Sequence, residues 1–305
     1  MTVTPASGQS LPTGPITLIC PYPAGTGIDI VARIIVQKLA ESWGQPVVVK
    51  NLSGASGNIG AMAAVSAKPD GSTFIIIANS HLINQHVSKN IVDVQKSLAP
   101  VALAGMIPYL IAVSNSMPVQ TLPELIKLAK AKPGEINYSG IRGSVPHFLG
   151  VALNTAGNID MQFVAYKSTT EPIADVVSGR VPVWFTTVAS ALPLVQAGKV
   201  RVLAVTGSKS VSSLPNSPTA ASVGFPTLDL HAAFYIMAPI GTPRLIIDRV
   251  NRDITDAMKM RDVVESLGQH GAEATTSTPD ELGNLLKRET IRWAELVKSS
   301  GITTE

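Results

Sequence analysis

Cysteine is almost absent from the 305-residue sequence, which contains only Cys20. A single cysteine excludes an intramolecular disulfide and any metal site built from several cysteines. Cys20 ends an apolar run, which predicts a buried small hydrophobe rather than a nucleophile. Histidines are also few and scattered, and no pair has metal-binding spacing: His81, His86, His147, His231 and His270. We therefore predict neither a metal nor a cofactor.

Dense charge, long apolar runs and catalytic motifs are lacking as well. The sequence has 24 Lys and Arg against 21 Asp and Glu, without a basic block, so nucleic acid is not an expected partner. No apolar run approaches the roughly twenty residues that cross a bilayer, so we expect a soluble chain. A Gly-x-Ser-x-Gly elbow, a Walker loop and a dinucleotide fingerprint are all missing. Triads assembled from distant residues are not excluded, but nothing favours an enzyme.

The N-terminal residues lack the charged start and apolar middle of a secretion signal. Residues 2–15 are polar and rich in Pro, Ser, Thr and Gly, and we expect residues 1–14 to form a flexible segment. Two locations remain open from the residues alone. The protein is either cytoplasmic or a mature form that was given a starting Met1.

The most informative stretch is the turn formed by residues 20–29, between an apolar strand and a segment of helical periodicity. Gly25 and Gly27 allow a sharp turn and a close approach of a ligand to the backbone. The helix that follows offers unpaired N–H groups, which suit a carboxylate or a phosphate. Asp29 is predicted to stabilise the loop and the helix start. Such turns are common in α/β proteins, so this one alone does not establish a binding site.

An alternation of strands and helices follows this turn and predicts a parallel sheet covered on both faces. Residues 46–49 and 73–78 are predicted strands, with a small-residue loop at 53–58 between them. Ser80 and His81 follow the second of these strands and are expected at the same sheet edge as the turn. The alternative is that they cap the next helix.

A second glycine-containing turn, residues 139–147, repeats the features of the first and adds a cation. Ser144 is predicted to be the N-cap of a helix over 145–156. Arg142 could hold a carboxylate through two hydrogen bonds, or it could be a solvated surface arginine. Two helix N-termini that face each other across a cleft could bind both ends of a dianion.

Two long apolar stretches, 101–114 and 230–239, are suited to strands that pass between two domains. They divide the chain into a discontinuous domain 1 and a continuous domain 2. Domain 1 comprises 15–105 plus 232–305, and domain 2 comprises 106–231. Helices are predicted near 243–258 and 279–299, and the apolar stripe of the latter indicates core packing.

Motifs spread over residues 16–302 resemble the periplasmic substrate-binding proteins of tripartite tricarboxylate transporters, the Bug-type receptors. Single motifs are weak indicators, but their order and spacing are specific. They are PYPAGTGIDIVAR (21–33), GQPVVVKN (44–51), GNIG (57–60), KPDG (68–71), LAPVAL (98–103), AKPG (131–134), AGKVRVLAVT (197–206) and APIGTP (238–243).

This resemblance implies an α/β, two-domain clamshell fold like that of type II periplasmic binding proteins. Each domain would contain a mostly parallel sheet flanked by helices, with hinge strands joining the domains. The receptor would be a periplasmic monomer without catalytic activity. It would capture a small carboxylate between the domains and deliver it to the membrane permease subunits of the transporter.

The resemblance and the turns together predict a set of ligand-binding residues. Backbone groups of the first turn and of residues 140–144 would hold the carboxylates, and residues after two other strands would line the same cleft. The predicted residues are Tyr22, Ala24, Gly25, Thr26, Gly27, Asn58, Ser80, His81, Gly140, Arg142, Gly143, Ser144, His147, Thr186 and Phe234.

Departures from the family pattern bear on the ligand. The second turn is one residue shorter than usual and contains Arg142, and Thr186 stands where the family often has an aspartate that could pair with an amine. Thr26 replaces a glycine and Ile28 replaces a threonine, and Ser168 stands where glycine is usual. A lost amine partner and an added cation favour a plain dicarboxylate over an acidic amino acid.

The ring-bearing or apolar residues near the turns leave room for an aromatic dicarboxylate, such as terephthalate or another phthalate isomer. The same residues could equally pack beneath the loops: Tyr22, Ile28, Val145, Phe148 and Phe234.

Two alternatives to a transport receptor also stand. One is a hydrolase or transferase acting on a small anion, and the other is a receptor for a membrane sensor protein.

Overall fold

The computed structural model describes residues 11–89, 91–168, 171–207 and 209–300. Most of the predicted flexible segment therefore lies outside the described residues. The strands are β1 (Ile16–Cys20), β2 (Val47–Asn51), β3 (Thr73–Ala78), β4 (Leu98–Ser114), β5 (Asn137–Gly140), β6 (Gln162–Ala165), β7 (Val183–Thr187), β8 (Val200–Val205) and β9 (His231–Pro239). The α-helices are α1 (Gly27–Trp43), α2 (Asn58–Val65), α3 (Asn79–Val87), α4 (Val94–Ser97), α5 (Leu122–Ala131), α6 (Val145–Gly157), α7 (Ile173–Ser178), α8 (Val188–Gln196), α9 (Arg244–Lys259), α10 (Arg261–Gln269) and α11 (Pro279–Ser300).

The strands form one curled sheet in the order β2-β1-β3-β9-β4-β7-β5-β6, with β8 paired to β4. It contains two parallel groups, β2-β1-β3 and β7-β5-β6. Antiparallel β9 and β4 lie between them. The mixed α/β architecture with flanking helices agrees with the predicted fold class.

The long strand β4 is shared by the two halves of the sheet. Its first part, Leu98–Pro108, pairs with β9, and its last part, Tyr109–Ser114, pairs with β7 and β8. The apolar stretches at 101–114 and 230–239 thus form the strands β4 and β9, as the sequence predicts. The exact domain boundaries, at 105/106 and 231/232, stay a prediction.

Alternating side chains place a hydrophobic core on each face of the first half. Ile75 and Ile77 of β3 join a cluster that extends to α3, α6 and α11, whereas Phe74 and Ile76 pack toward α1 and α9. A third cluster lies between β4, β7 and α8. This period of two is what buries both faces of a central strand. None of the described helices is both long and apolar enough to span a membrane.

Helix boundaries follow the sequence prediction closely for α6, α9 and α11. Helix α10 was missed because only Met260 separates it from α9, without a glycine or proline to mark the break. Met260 has φ −65° and ψ 136°, so a single extended residue ends one helix and starts the next. The residues from which a helix end can be predicted, such as glycine or proline, are therefore absent between α9 and α10.

Candidate functional site

The first turn is held together by Asp29, the third residue of α1. Its carboxylate accepts hydrogen bonds from the N–H of Gly25 (2.8 Å), from Nε of Arg33 (2.9 Å) and from Nδ2 of Asn51 (2.8 Å). Asp29 is 1% exposed. Burial alone would raise the pKa of this carboxyl, but the hydrogen bonds from Arg33, Asn51 and Gly25 outweigh it and lower the pKa. Asp29 thus stabilises the loop, as the sequence predicts.

Helix α1 begins in this turn without a side-chain cap. Thr26 occupies the N-cap position, but its hydroxyl donates to the carbonyl of Pro23 at 2.7 Å. Within the described ranges, no protein group accepts a hydrogen bond from the N–H of Gly27 or Ile28. These two donors, rather than that of Gly25, are therefore free to bind an anion at the positive end of the helix dipole.

Tyr22 connects this turn to the residues that follow β3. Its hydroxyl hydrogen-bonds to that of Ser80, and its ring meets the imidazole of His81 edge-on with centroids 5.8 Å apart. Strands β1 and β3 are parallel neighbours, so their carboxyl ends lie side by side. The structure thus brings Tyr22, Ser80 and His81 together at one sheet edge, as predicted.

The loop before α2 closes one side of this cluster. Gly57 has φ +93°, and a Cβ at this position would lie 2.6 Å from Nε2 of His81 and 3.4 Å from the hydroxyl of Tyr22. Only glycine fits this backbone and this space. Asn58, a predicted ligand residue, uses its carbonyl oxygen to accept the N–H of Val92 at 2.9 Å. Its amide oxygen therefore ties α2 to the chain before α4.

The second turn follows β5 and leads into α6. Ser144 is the N-cap residue, as predicted, but its hydroxyl donates to the carbonyl of Ile141 at 2.6 Å and does not cap the helix. The prediction that this side chain caps the helix is therefore wrong, because the hydroxyl donates to a carbonyl within the turn and accepts no N–H of α6. The N–H of Gly143 donates to Nδ1 of His147 at 3.2 Å. Helix α6 thus also begins without a side-chain cap.

Phe163 of β6 supports this turn and is not among the ligand-binding residues predicted from the sequence. The imidazole of His147 stacks on its ring with centroids 3.6 Å apart, and the guanidinium carbon of Arg142 lies 5.7 Å from its centroid. Arg142 is exposed, and no described carboxylate lies within ion-pair distance of it. A cation beside an aromatic ring and without a carboxylate partner suits an anionic ligand.

Tyr109 is a second residue that the sequence argument missed. It lies where β4 passes from the first half of the sheet to the second, and it pairs with Thr187 of β7. Burial, together with the nearby Tyr22, raises the pKa of its hydroxyl. Tyr109 therefore lies between the cluster around Tyr22 and the second half. The only sequence feature that could have indicated its role is the hydroxyl-bearing ring within the apolar run 101–114.

The remaining predicted residues are spread over exposed and buried positions. Ala24 and Gly25 are exposed, and Gly140, Thr186 and Phe234 are buried within strands. Four of the five residues considered for an aromatic ligand wall are buried in the core clusters, so packing accounts for them: Ile28, Val145, Phe148 and Phe234. Their binding roles, and those of the other predicted residues, stay predictions.

Both site histidines are neutral rings whose Nδ1 atoms accept backbone hydrogen bonds. Each is the third residue of its helix, and its Nδ1 accepts a backbone N–H, from Ala78 for His81 (3.4 Å) and from Gly143 for His147 (3.2 Å). The proton of the neutral ring is therefore on Nε2. Burial lowers the pKa of both to about 4, and Arg142 adds to the shift at His147.

These lowered pKa values predict a loss of stability in mild acid. The unfolded chain binds protons at both histidines below about pH 6.5, whereas the folded protein resists protonation until about pH 4. Stability should therefore fall by up to about 1.4 kcal/mol per pH unit for each histidine across this window. Urea denaturation at a series of pH values measures this slope.

A His147→Gln variant serves as the control, because one titrating group is then removed. Its slope over the same pH window should be smaller by up to about 1.4 kcal/mol per pH unit, the contribution of His147. A slope that is unchanged in the variant would contradict a buried neutral His147.

Comparison with known proteins assigns the chain to a family. Residues 31–302 match the family described as "Tripartite tricarboxylate transporter family receptor". The chain belongs to this receptor family. Its members are solute-binding proteins and not enzymes, and they work with membrane components of the transporter. Among the described residues, no cluster of His, Cys, Asp or Glu could hold a metal ion.

Relatives within the family match nearly the whole chain. Protein BugT of Bordetella pertussis is 31% identical over 301 residues, which are 97% of this chain and 92% of BugT. The structure of R. palustris Rpa4515 with adipate is 30% identical, with a TM-score of 0.84 over 96% of this chain and 99% of that one. MatC from Rhodopseudomonas palustris with bound malate is 27% identical, with a TM-score of 0.78 over 94% and 100%. These likenesses agree with the predicted periplasmic-binding-protein fold.

Proposed function

We propose that this receptor binds a small dicarboxylate in the periplasm and delivers it to the membrane permease subunits of its transporter. The observation that carries the proposal is a pair of helix N-termini, α1 and α6, neither of which has a side-chain cap. Each follows a parallel strand, and ligands of α/β sheets bind beyond such strand ends. Adipate and malate, which the two similar structures contain, are both dicarboxylates.

Two anion sites match the two ends of a dicarboxylate. Donation from the N–H groups of Gly27 and Ile28 would hold one carboxylate at α1. The exposed guanidinium of Arg142 and the start of α6 would hold the other. Because each end of the ligand is then matched, a monocarboxylate of the same length should bind much more weakly.

An acidic amino acid fits this site less well. Its ammonium group needs an acceptor, and Thr186 offers no charge where an aspartate is frequent. The carboxylate of Asp29 already accepts from Gly25, Arg33 and Asn51. An ammonium left without a partner in a closed cleft costs free energy. We therefore expect dicarboxylates to bind in preference to aspartate and glutamate.

An aromatic dicarboxylate is the second candidate, and Phe163 is the observation in its favour. Its half-buried ring lies beside Arg142, where a ligand ring and carboxylate could be met together. The buried positions of Val145, Phe148 and Phe234 remove most of the aromatic wall that the sequence suggested. The aliphatic ligands of the two similar structures further support an aliphatic dicarboxylate as the first candidate.

Calorimetry with ligand-free protein tests this function. The series should contain malate, succinate, adipate, terephthalate and glutamate, with hexanoate as the monocarboxylate matched to adipate. We expect at least one dicarboxylate to bind with a Kd of about 1 μM or lower, an affinity of roughly 8 kcal/mol. A protein that binds none of the dicarboxylates would contradict the proposal. Mass spectrometry of the co-purifying small molecule identifies the natural ligand.

Arg142→Ala should weaken binding of the preferred dicarboxylate by about tenfold, because one charge-assisted contact is lost. Calorimetry measures the change, and Arg252→Ala is the matched control. Arg252 is an exposed cation on α9, away from both turns, and its removal should leave the affinity unchanged. Equal affinities of the two variants would exclude Arg142 from the site.

A further inference from the structure

The C-terminal helix α11 is anchored to the first half of the sheet. Arg244 of α9 forms two hydrogen bonds with Asp280 in the first turn of α11, at 2.9 and 3.2 Å. The amide of Gln95 donates to the carbonyl of Leu286 at 3.0 Å. α11 also packs along α3, the helix whose first residues include Ser80 and His81. It is therefore fixed to the side of the site that carries Ser80 and His81.

The same helix contacts α6, which begins at the second turn. Trp293 meets Phe148 with ring centroids 5.7 Å apart and ring planes at 63°. Both side chains are fully buried. Phe148 directly follows His147, the residue that holds the N–H of Gly143. α11 is thus in contact with α3 and with α6, two helices that carry predicted ligand residues of the two turns' surroundings.

A groove of about 270 Å³, partly open to solvent, lies near this contact, between α6, α11 and the chain before β9. Its lining residues are Ala152, Thr227, Leu230, Arg292, Glu295 and Leu296. The indole N–H of Trp293 is buried and has no hydrogen-bond partner among the described residues. Buried polar groups are normally hydrogen-bonded, so the unpartnered indole N–H marks this contact as one that can rearrange.

We propose that α11 couples α3, which carries Ser80 and His81, to α6, which follows the second turn, with Trp293 as the positioning residue that sets the angle of α6 against α3. When the two turns close on a ligand, α6 shifts over the indole of Trp293. Only the shift of α6 on ligand binding rests on the proposed function as a dicarboxylate receptor. The angle between α6 and α3 without ligand does not depend on that function, and it is tested first in the ligand-free protein.

Distance measurements between spin labels test the resting angle. Lys50→Cys on β2 and Lys127→Cys on α5 place labels on exposed sites of the two halves. The native Cys20 is buried and stays unlabelled. In ligand-free protein, Trp293→Phe should shift or broaden the distance distribution. Trp43→Phe is the control, because the contacts of Trp43 with the described residues lie in the first half, where it donates to Asp253 of α9. A Trp293→Phe distribution identical to that of the control overturns the inference.

Phe148→Leu tests the same contact from the other side and should shift the distribution as well. If Trp293→Phe does not fold, Phe148→Leu alone tests the role of the contact between Trp293 and Phe148. Distributions that match the control in this variant would contradict the role of the contact.

With the preferred dicarboxylate, Trp293→Phe should change Kd by about threefold to thirtyfold without touching the ligand. An unchanged Kd, together with an unchanged ligand-induced distance change, would also overturn the inference. If the wild-type protein binds no dicarboxylate, the proposed function fails, but the ligand-free distances still decide the role of Trp293.

Discussion

Replacing Gly150 with alanine should lower the free energy of unfolding by about 3 kcal/mol, an overpacking effect at the upper end of the usual range. Gly150 lies in α6, and a Cβ there would be 2.1 Å from Cε2 and 2.3 Å from Cζ of Tyr138. The tyrosine ring is fixed by Phe163 and Phe185, with centroids at 5.4 and 5.5 Å. Neither the ring nor the helix has an easy way to yield, so the strain stays in the folded state.

Urea denaturation of Gly150→Ala and Gly283→Ala together checks this prediction. Gly283 lies in the helix α11, and the nearest atom to a Cβ there is Cγ of Pro100 at 3.6 Å, an ordinary contact. Alanine favours a helix over glycine by up to about 1 kcal/mol, so Gly283→Ala should stabilise the protein. Similar effects of the two substitutions would contradict the close approach of α6 to Tyr138.

Gly150→Ala should also weaken ligand binding, since Tyr138 packs against Phe163 as well. Displacement of that ring would move the support of His147 and Arg142. The two effects separate in the experiment, because stability is measured without ligand and affinity is measured in the folded fraction. Gly283→Ala should leave the affinity unchanged.

Sequence reasoning placed the two turns correctly because their position follows from chain connectivity. A parallel strand followed by a helix puts the intervening turn at the carboxyl edge of the sheet. β1 and β3 are neighbours, so the contact of Tyr22 with Ser80 and His81 could be anticipated without knowing any side-chain direction. Asp29 was likewise predictable, because an acidic residue in the first turn of a helix has few other roles.

Side-chain directions within the turns were not predictable in the same way. Thr26 and Ser144 are both N-cap residues, yet each hydroxyl donates to a carbonyl three residues earlier. A hydroxyl can either cap the helix or close the preceding turn, and only the turn geometry decides between these options. The ambiguity of Ile28, Val145 and Phe148 has a similar origin. Apolar residues near a turn point inward or outward according to helix phase, which a short segment does not fix.

Phe163 and Tyr109 were missed because their roles come from strand pairing. Phe163 reaches the second turn only because β6 is parallel to β5 and paired in one register, with Tyr138 opposite Phe163. A shift of one residue would turn the ring to the other face of the sheet. Tyr109 is important only because β4 serves both halves. Contacts of this kind depend on the assembled sheet rather than on local sequence.

The second large effect is expected for Asp29→Asn. One carboxylate oxygen accepts from Gly25 and Arg33, and the other accepts from Asn51. An asparagine amide would point its NH₂ group at one of these donors, so at least one buried donor would lose its acceptor. We expect a loss of about 2 kcal/mol in stability, within the range for an unsatisfied buried polar group. Urea denaturation at about pH 7 measures this loss.

Asp248→Asn is the matched control for Asp29→Asn. Asp248 forms an ion pair with Arg244 four residues earlier in the chain, at 2.7 Å, but both side chains are substantially exposed. Such surface pairs contribute about 0.5 kcal/mol or less, so this control should be nearly as stable as the wild type. Comparable losses in the two variants would contradict the buried network at Asp29.

The effect of Asp29→Asn should also depend on pH with a defined sign. The hydrogen bonds to Asp29 lower its folded-state pKa, so its contribution to stability is complete above the unfolded value of about 4. This contribution is lost as the pH falls through the folded-state pKa. The difference in unfolding free energy between wild type and variant should therefore be largest near neutral pH and shrink in acid. A difference that grows in acid would show that Asp29 is protonated in the folded protein.

Ligand affinity should fall in the same variant, and this result links the network to binding. Asp29 keeps the N–H of Gly25 turned inward, while the N–H groups of Gly27 and Ile28 stay free. Without that constraint the first turn has more conformations, and ordering it on binding costs free energy. We expect Kd for the preferred dicarboxylate to rise at least about tenfold, an effect of roughly 1.4 kcal/mol, and to stay unchanged in Asp248→Asn. An unchanged Kd in Asp29→Asn would mean that the first turn does not contact the ligand.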